Sequence, residues 1–344
     1  MVPASPGPCA LAPGSPALTK PANELVADRP TSLSPDKGDW IASPYYYFAG
    51  EFSRFTCVLH SAWSILWHEI DTAGVVIFGG GGLIDNSNAL NDILNRLFLE
   101  CDNVVIWGAG THKYSNEFID SCDDSNIHNI ESATISINFD KAALIGVRDY
   151  MHPYGLPFLP CASCLHPAFE SAAIFGEIKR EVGVISHGLD RFFEISDYPY
   201  SLVSNTDPMS SIVKYICESN VLLVSTYHGA FWSMLLGKKV VILESRRGIE
   251  KYRYFRFPVG FYKDTNSYDE KKILEIASEL PEPKGFLTDA RKLNLDFFVK
   301  VNELLEKQLE YHDDGGGNIA TILNLSRRIA QLEFTLRDLH QRLN

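Results

Sequence analysis

Short apolar runs that each end in glycine or in polar residues recur along this chain, and they dictate its fold class. Val75-Val76-Ile77-Phe78 runs into Gly79-Gly80-Gly81-Gly82, Val104-Val105-Ile106-Trp107 into Gly108-Ala109-Gly110, and Leu144-Ile145-Gly146-Val147 ends at Arg148-Asp149. Four consecutive apolar residues bounded by turn formers describe a strand buried on both faces. Helical patterns lie between the runs, as at 88–100. Buried strands that alternate with helices build a parallel, doubly wound sheet.

A second set begins near Glu181. Val182-Gly183-Val184-Ile185-Ser186 precedes His187-Gly188, and Leu202-Val203-Ser204-Asn205 follows. Thr206-Asp207-Pro208 opens a helix, with Asp or Thr near the cap and Pro in the first turn. Val221-Leu222-Leu223-Val224 and Lys239-Val240-Val241-Ile242-Leu243 are two further strands. Between them, residues 225–237 read as turn, helix and glycine stop. Residues 54–70 carry a helical apolar pattern, and helices are expected at about 269–279 and 289–309. The proline-rich stretch 150–180 is the crossover between two halves.

The expected organisation is therefore α/β, with two Rossmann-like domains at 38–178 and 179–310. Residues 1–37 are rich in Pro, Ala and Ser and are expected to be disordered. No strand is evident within 22–37. Beyond Asp313-Asp314-Gly315-Gly316-Gly317, the residues Ile322, Leu325, Ile329, Leu332, Leu336, Leu339 and Leu343 form an a/d seam. Residues 318–344 are thus expected to be a coiled-coil helix that joins copies of the chain. The alternative is an amphipathic helix docked on the body.

The net charge of −12 argues against nucleic acid as a partner. No run of 18 or more apolar residues is present, so no transmembrane segment is expected. Seven cysteines, an odd number and mostly scattered, point to reduced thiols and a cytoplasmic location. The single CxxC pair, Cys161 and Cys164, reads as two free thiols in a loop, because no second pair completes a metal site. Neither a metal nor a bound cofactor is expected.

Residues 225–229, Ser-Thr-Tyr-His-Gly, carry the sharpest chemical signal. They place His228 and Gly229 at the mouth of a helix, beyond the C-terminal end of a strand. Ligands bind there in open α/β sheets, and helix N-termini attract anions. Arg148 ends a buried strand, where a cation needs an anion, either Asp149 or a ligand. His187 occupies the corresponding edge of the second half. Arg246, Arg247 and Lys251 belong to a basic segment, 246–256, that follows the strand ending at Leu243. The glycine turns at Gly80, Gly81, Gly108 and Gly110 fit neither a GxGxxG nor a Walker spacing, but lie at the same sheet edge.

Taken in order, these motifs resemble those of the polysaccharide pyruvyl transferases. The resemblance rests on Lys37-Gly38-Asp39-Trp40, Phe78-Gly79-Gly80-Gly81-Gly82, Trp107-Gly108-Ala109-Gly110, Gly146-Val147-Arg148-Asp149, Ser225-Thr226-Tyr227-His228-Gly229 and Gly237-Lys238-Lys239, and covers about 38–257. It implies a GT-B-like pair of domains facing across a cleft. It also implies transfer of a pyruvyl group from phosphoenolpyruvate, as co-substrate, to a sugar or glycan acceptor, at a site peripheral to a membrane where glycans are assembled. On this reading His228 and Asp39 are catalytic. Arg148, His187, Tyr227, Gly229, Arg246, Arg247 and Lys251 hold the donor, and Gly38, Gly80, Gly81, Gly108 and Gly110 shape the cleft. Tyr45, Tyr46 and Tyr47 are candidates for an acceptor platform or for core. The chain departs from the family at Thr226, where many members carry an arginine. A nucleotide-sugar GT-B glycosyltransferase and a non-catalytic glycan-binding subunit are the competing readings.

Overall fold

The computed structural model describes residues 24–28, 41–53, 55–60, 73–84, 88–110, 137–152, 155–186, 198–199, 202–243, 250–263 and 267–312. Two parallel five-stranded sheets organise it. The first contains β1 (Glu24–Asp28), β2 (Thr56–His60), β3 (Ala73–Gly79), β4 (Val104–Ala109) and β5 (Leu144–Val147), in the order β2-β1-β3-β4-β5. The second contains β6 (Arg180–Ser186), β7 (Val203–Ser204), β8 (Ser219–Val224), β9 (Lys239–Leu243) and β10 (Gly260–Tyr262), in the order β10-β9-β8-β6-β7. Every strand pairing in both sheets is parallel. Counted from its own first strand, the second sheet repeats the order of the first. Strand order reverses between β1 and β3, and again between β6 and β8. Such switch points open a crevice at the C-terminal strand ends.

The central strands form where the apolar runs predict them. All six residues of β4 are buried, and Val221–Val224 of β8 are at most 4% exposed. Helices α1 (Tyr45–Phe52), α2 (Asn88–Glu100), α3 (Met209–Cys217), α4 (Tyr227–Leu235), α5 (Glu250–Arg253), α6 (Glu270–Ser278) and α7 (Phe286–His312) accompany the strands. The compact unit Asn23–Gln308 holds both sheets. The proposed coiled coil, 318–344, lies outside the described residues.

Three local expectations need correction. β1 lies inside the tail expected to be disordered, and it pairs in parallel with β2 and, with a register shift between Glu24 and Leu25, with β3. Its core is only Leu25-Val26-Ala27, too short a run to stand out between charged and proline-rich neighbours. Residues 56–60, expected to be helical, form β2 instead. Phe55, Val58 and Leu59 satisfy a helical period, but pairing with β1 decides the local structure. At α3 the cap position is Pro208 itself, while Asp207 Oδ2 accepts the Ser204 N–H at 2.9 Å.

Two helices position the site. All nine residues of α4 are buried, so it runs through the interior rather than along the surface. It ends at Gly237, whose φ of 74° lets Gly237 and Lys238 donate back to Met234 and Ser233. Helix α7 touches both halves. Phe286 and Ala290 join the core around α4, whereas Phe297 packs against Trp107 and Phe298 stacks on Phe48 at 4.2 Å.

Candidate anion-binding site

The site is built where β5 ends and α4 begins. Arg148 leaves β5 and is only 4% exposed, yet its Nε has no hydrogen-bond partner. Its guanidinium lies 3.7 Å from the centroid of the Tyr227 ring, in the first turn of α4. No ion pair joins Arg148 to Asp149 or to any other acid among the described residues. A buried cation without a carboxylate costs several kcal/mol, and a cation–π contact returns only about 2. Asp149, itself buried, acts on Tyr227 through its charge but makes no ion pair with Arg148. The positive end of the α4 dipole adds to the positive charge.

Neighbouring residues hold Arg148 in place. A Cβ on Gly110 would lie 2.7 Å from Arg148 Cδ and nearer still to Nε and Cγ, so only glycine leaves this space. The Arg148 N–H donates to Ala109 O at 2.9 Å, and Gly110 N–H donates to Gly81 O at 3.0 Å. Gly80, with φ of 94°, packs on the backbone of Ala42 and Ser43. Gly108 abuts the Pro160–Cys161 backbone. Thus Gly80, Gly81, Gly108 and Gly110 serve close backbone packing around Arg148.

Tyr227 is sandwiched between Arg148 and Phe255, whose ring centroid is 4.8 Å away. Burial pushes its phenol well above the usual range, with the Arg148 guanidinium opposing, so the ring is a neutral platform. Thr226 caps α4 by accepting the Gly229 N–H at 2.9 Å. Threonine at 226 thus acts as the cap of this helix. It also occupies the Gly229 N–H, which was expected to face a ligand.

The imidazole of His228 is 4% exposed and lies inside, with Nε2 3.6 Å from Cys161 Sγ and Trp232 beneath it at 5.4 Å. Cys161 and Cys164 are free and buried thiols in a 3-10 turn, as the sequence suggests in oxidation state. Burial pushes the Cys164 thiol up. Their packing under α4 was not legible in the sequence, because the contact joins residues 67 positions apart.

Two further residues escaped sequence reasoning. Asn294 of α7, fully buried, accepts the Trp107 indole N–H at 2.9 Å and donates to Pro160 O at 3.0 Å. His152 is 4% exposed, and burial lowers its pKa to about 4. The basic segment reaches the site through Tyr252, whose O–H donates to Ser225 O at 3.0 Å, and Tyr254, whose carbonyl accepts the Tyr150 N–H at 2.7 Å. Lys251 lies 5.1 Å over the Tyr252 ring. Asp39, Gly38, His187, Arg246 and Arg247 lie outside the described residues. Among the described residues no cluster of three or more His, Cys, Asp or Glu can hold a metal ion.

No protein-family model matches the chain, and no curated protein matches it. Among solved structures, a crystal structure of an uncharacterised protein from Klebsiella pneumoniae subsp. pneumoniae is similar at 14% identity and a TM-score of 0.42, covering 71% of this chain and 93% of that one. At that distance it bears on neither the site nor its chemistry. No helix among the described residues is long and apolar enough to cross a membrane.

Proposed function

We propose that this chain is a pyruvyl transferase that moves the enolpyruvyl group of phosphoenolpyruvate to a sugar and closes a pyruvate ketal across two hydroxyls. The observation that carries this reading is the buried Arg148 guanidinium, unpaired at Nε, at the N-terminus of α4. Phosphoenolpyruvate offers a phosphate and a carboxylate to such a site. In the reaction, a sugar hydroxyl adds to the enol carbon while the methylene carbon takes a proton. Phosphate leaves, and a second hydroxyl completes the ketal. Arg148 and the helix dipole would stabilise the charge that builds on the departing phosphate. Asp39 is the proposed base for the acceptor hydroxyl.

On this reading the two sheets are the halves of a GT-B-like pair of domains, with the acceptor on the first. Tyr46 supports that placement: it is 54% exposed and its ring lies nearly parallel to that of His166. An exposed aromatic face suits the apolar side of a pyranose. The test is phosphate release from phosphoenolpyruvate in the presence of mannosides, galactosides and glucosides, with mass analysis of the product. Release that depends on both the sugar and Arg148 supports the reading. Stabilisation by UDP- or GDP-sugars but not by phosphoenolpyruvate would favour nucleotide-sugar chemistry instead.

A further inference from the structure

The rings of Tyr46 and His166 lie 6.1 Å apart between centroids and 11° from parallel. Tyr46, in the first turn of α1, is 54% exposed, and His166 is half-buried. The Ala168 N–H donates to His166 Nδ1 at 3.1 Å. A backbone N–H only donates, so Nδ1 carries no proton and Nε2 holds the proton of the neutral ring. A flipped ring would set Cδ2 against that N–H, and carbon accepts nothing. Burial lowers the pKa of the imidazole below its ordinary value, which keeps it neutral at neutral pH. Nε2–H makes no hydrogen bond among the described residues and reaches solvent.

Both residues are held from behind. The His166 N–H donates to Ser163 O at 3.1 Å, and the His166 carbonyl accepts from the Phe169 N–H at 3.2 Å and from Arg291 Nη2 at 3.3 Å. Arg291 Nε donates to Cys164 O at 3.0 Å, and Trp232 Nε1–H to Ser163 Oγ at 3.1 Å. The 161–166 turn is thus pinned from α7 and from α4. At its start, Cys161 Sγ lies 3.6 Å from His228 Nε2. The Tyr46 N–H donates to Ser43 O at 3.1 Å, and Gly80 packs on Ser43. Short, hydrogen-bonded turns therefore join the pair to both sides of the proposed site.

We propose that His166 selects the acceptor: a neutral sugar ring lies on Tyr46, and one of its hydroxyls accepts the Nε2–H of His166. The proposal rests on the reading of Tyr46 as an acceptor platform. A fixed donor beside an aromatic face rejects a ring whose hydroxyl is missing or points elsewhere. The charges joined to this turn, Arg291 and Glu170, stand 3.9 Å apart and offset each other, which suits a neutral occupant.

The test is titration of the full chain, 15N-labelled at histidine, with methyl mannoside, methyl galactoside and methyl glucoside in the absence of phosphoenolpyruvate. The His166 signals are assigned by their loss in His166→Asn. Asparagine Oδ1 stands where Nδ1 stood, so this variant keeps an acceptor for the Ala168 N–H but has no Nε2–H. At least one glycoside is expected to shift the His166 Nε2 signal. His166→Asn should weaken its binding about tenfold, the worth of one neutral hydrogen bond, as read by calorimetry. Tyr46→Ala, at an exposed ring, should abolish binding and serves if His166→Asn fails to fold. Binding of none of the three, a bound glycoside that leaves the His166 signals unmoved, or wild-type affinity in Tyr46→Ala or in a folded His166→Asn overturns the proposal. Glycoside binding that needs both residues, in a chain that releases no phosphate from phosphoenolpyruvate, would leave this subsite standing and count against the proposed transfer.

Discussion

Replacing Arg148 by Met tests the account at its electrostatic centre. The guanidinium is 4% exposed and lies 3.7 Å from the Tyr227 ring centroid, with Nε unpaired. Burying one ion costs several kcal/mol, and a desolvated cation–π contact offsets about 2 of that. Methionine keeps much of the aliphatic stem that fills the space beside Gly110. Without ligand, Arg148→Met should therefore be as stable as the wild type or about 1–2 kcal/mol more stable. With phosphoenolpyruvate at one hundred times its Kd, the wild type should gain about 2.7 kcal/mol, and the variant should gain nothing. Thermal unfolding followed by tryptophan fluorescence, with and without the ligand, reads both effects. Loss of more than about 2 kcal/mol in the unliganded variant would show that Arg148 holds the fold together, since a buried charge with real partners costs that much or more to remove. Equal stabilisation of both proteins by phosphoenolpyruvate would place the anion elsewhere.

The remaining predictions concern the residues that hold this centre. Gly110→Ala places a methyl against the Arg148 side chain; it should cost about 1–3 kcal/mol and weaken phosphoenolpyruvate binding, as read by melting and calorimetry. Asn294→Leu strands the Trp107 indole N–H and the Pro160 carbonyl and should destabilise by about 2–4 kcal/mol, measured by urea unfolding. His152 is held neutral, with its pKa lowered to about 4, so the unfolded chain binds its proton first as the pH falls. Its contribution, of order 3 kcal/mol, is present above the unfolded value near 6.5 and is lost as the pH falls towards 4. His152→Phe should flatten the pH dependence of urea stability over that window, and an unchanged slope would show that another group controls it.

Legibility in the sequence followed burial. Strands β3, β4 and β8 are covered on both faces, and their continuous apolar runs announce them. Strand β1 is equally central in the order of its sheet, but its three apolar residues sit between Glu24 and Asp28 and are lost among prolines. Strand β2 carries apolar residues at a spacing that also suits a helix, so its pairing with β1, a non-local fact, decides the outcome. At the candidate site, the sequence puts Arg148 just past a strand and His228 in the first turn of a helix, and both lie there. Cys161, Ser163, Trp232 and Asn294 were not legible. Their roles arise from contacts across 67 to 187 positions, which no local pattern encodes. Thr226 is the instructive middle case. As a departure from a motif it reads as a missing arginine, whereas in three dimensions it is the cap of α4.

The most direct test of the central claim is a crystal structure with phosphoenolpyruvate bound. The account predicts a phosphate or carboxylate oxygen within hydrogen-bond distance of Arg148 Nε, beside the first turn of α4. Phosphoenolpyruvate bound away from Arg148, with its guanidinium still stacked and unpaired on Tyr227, would contradict it.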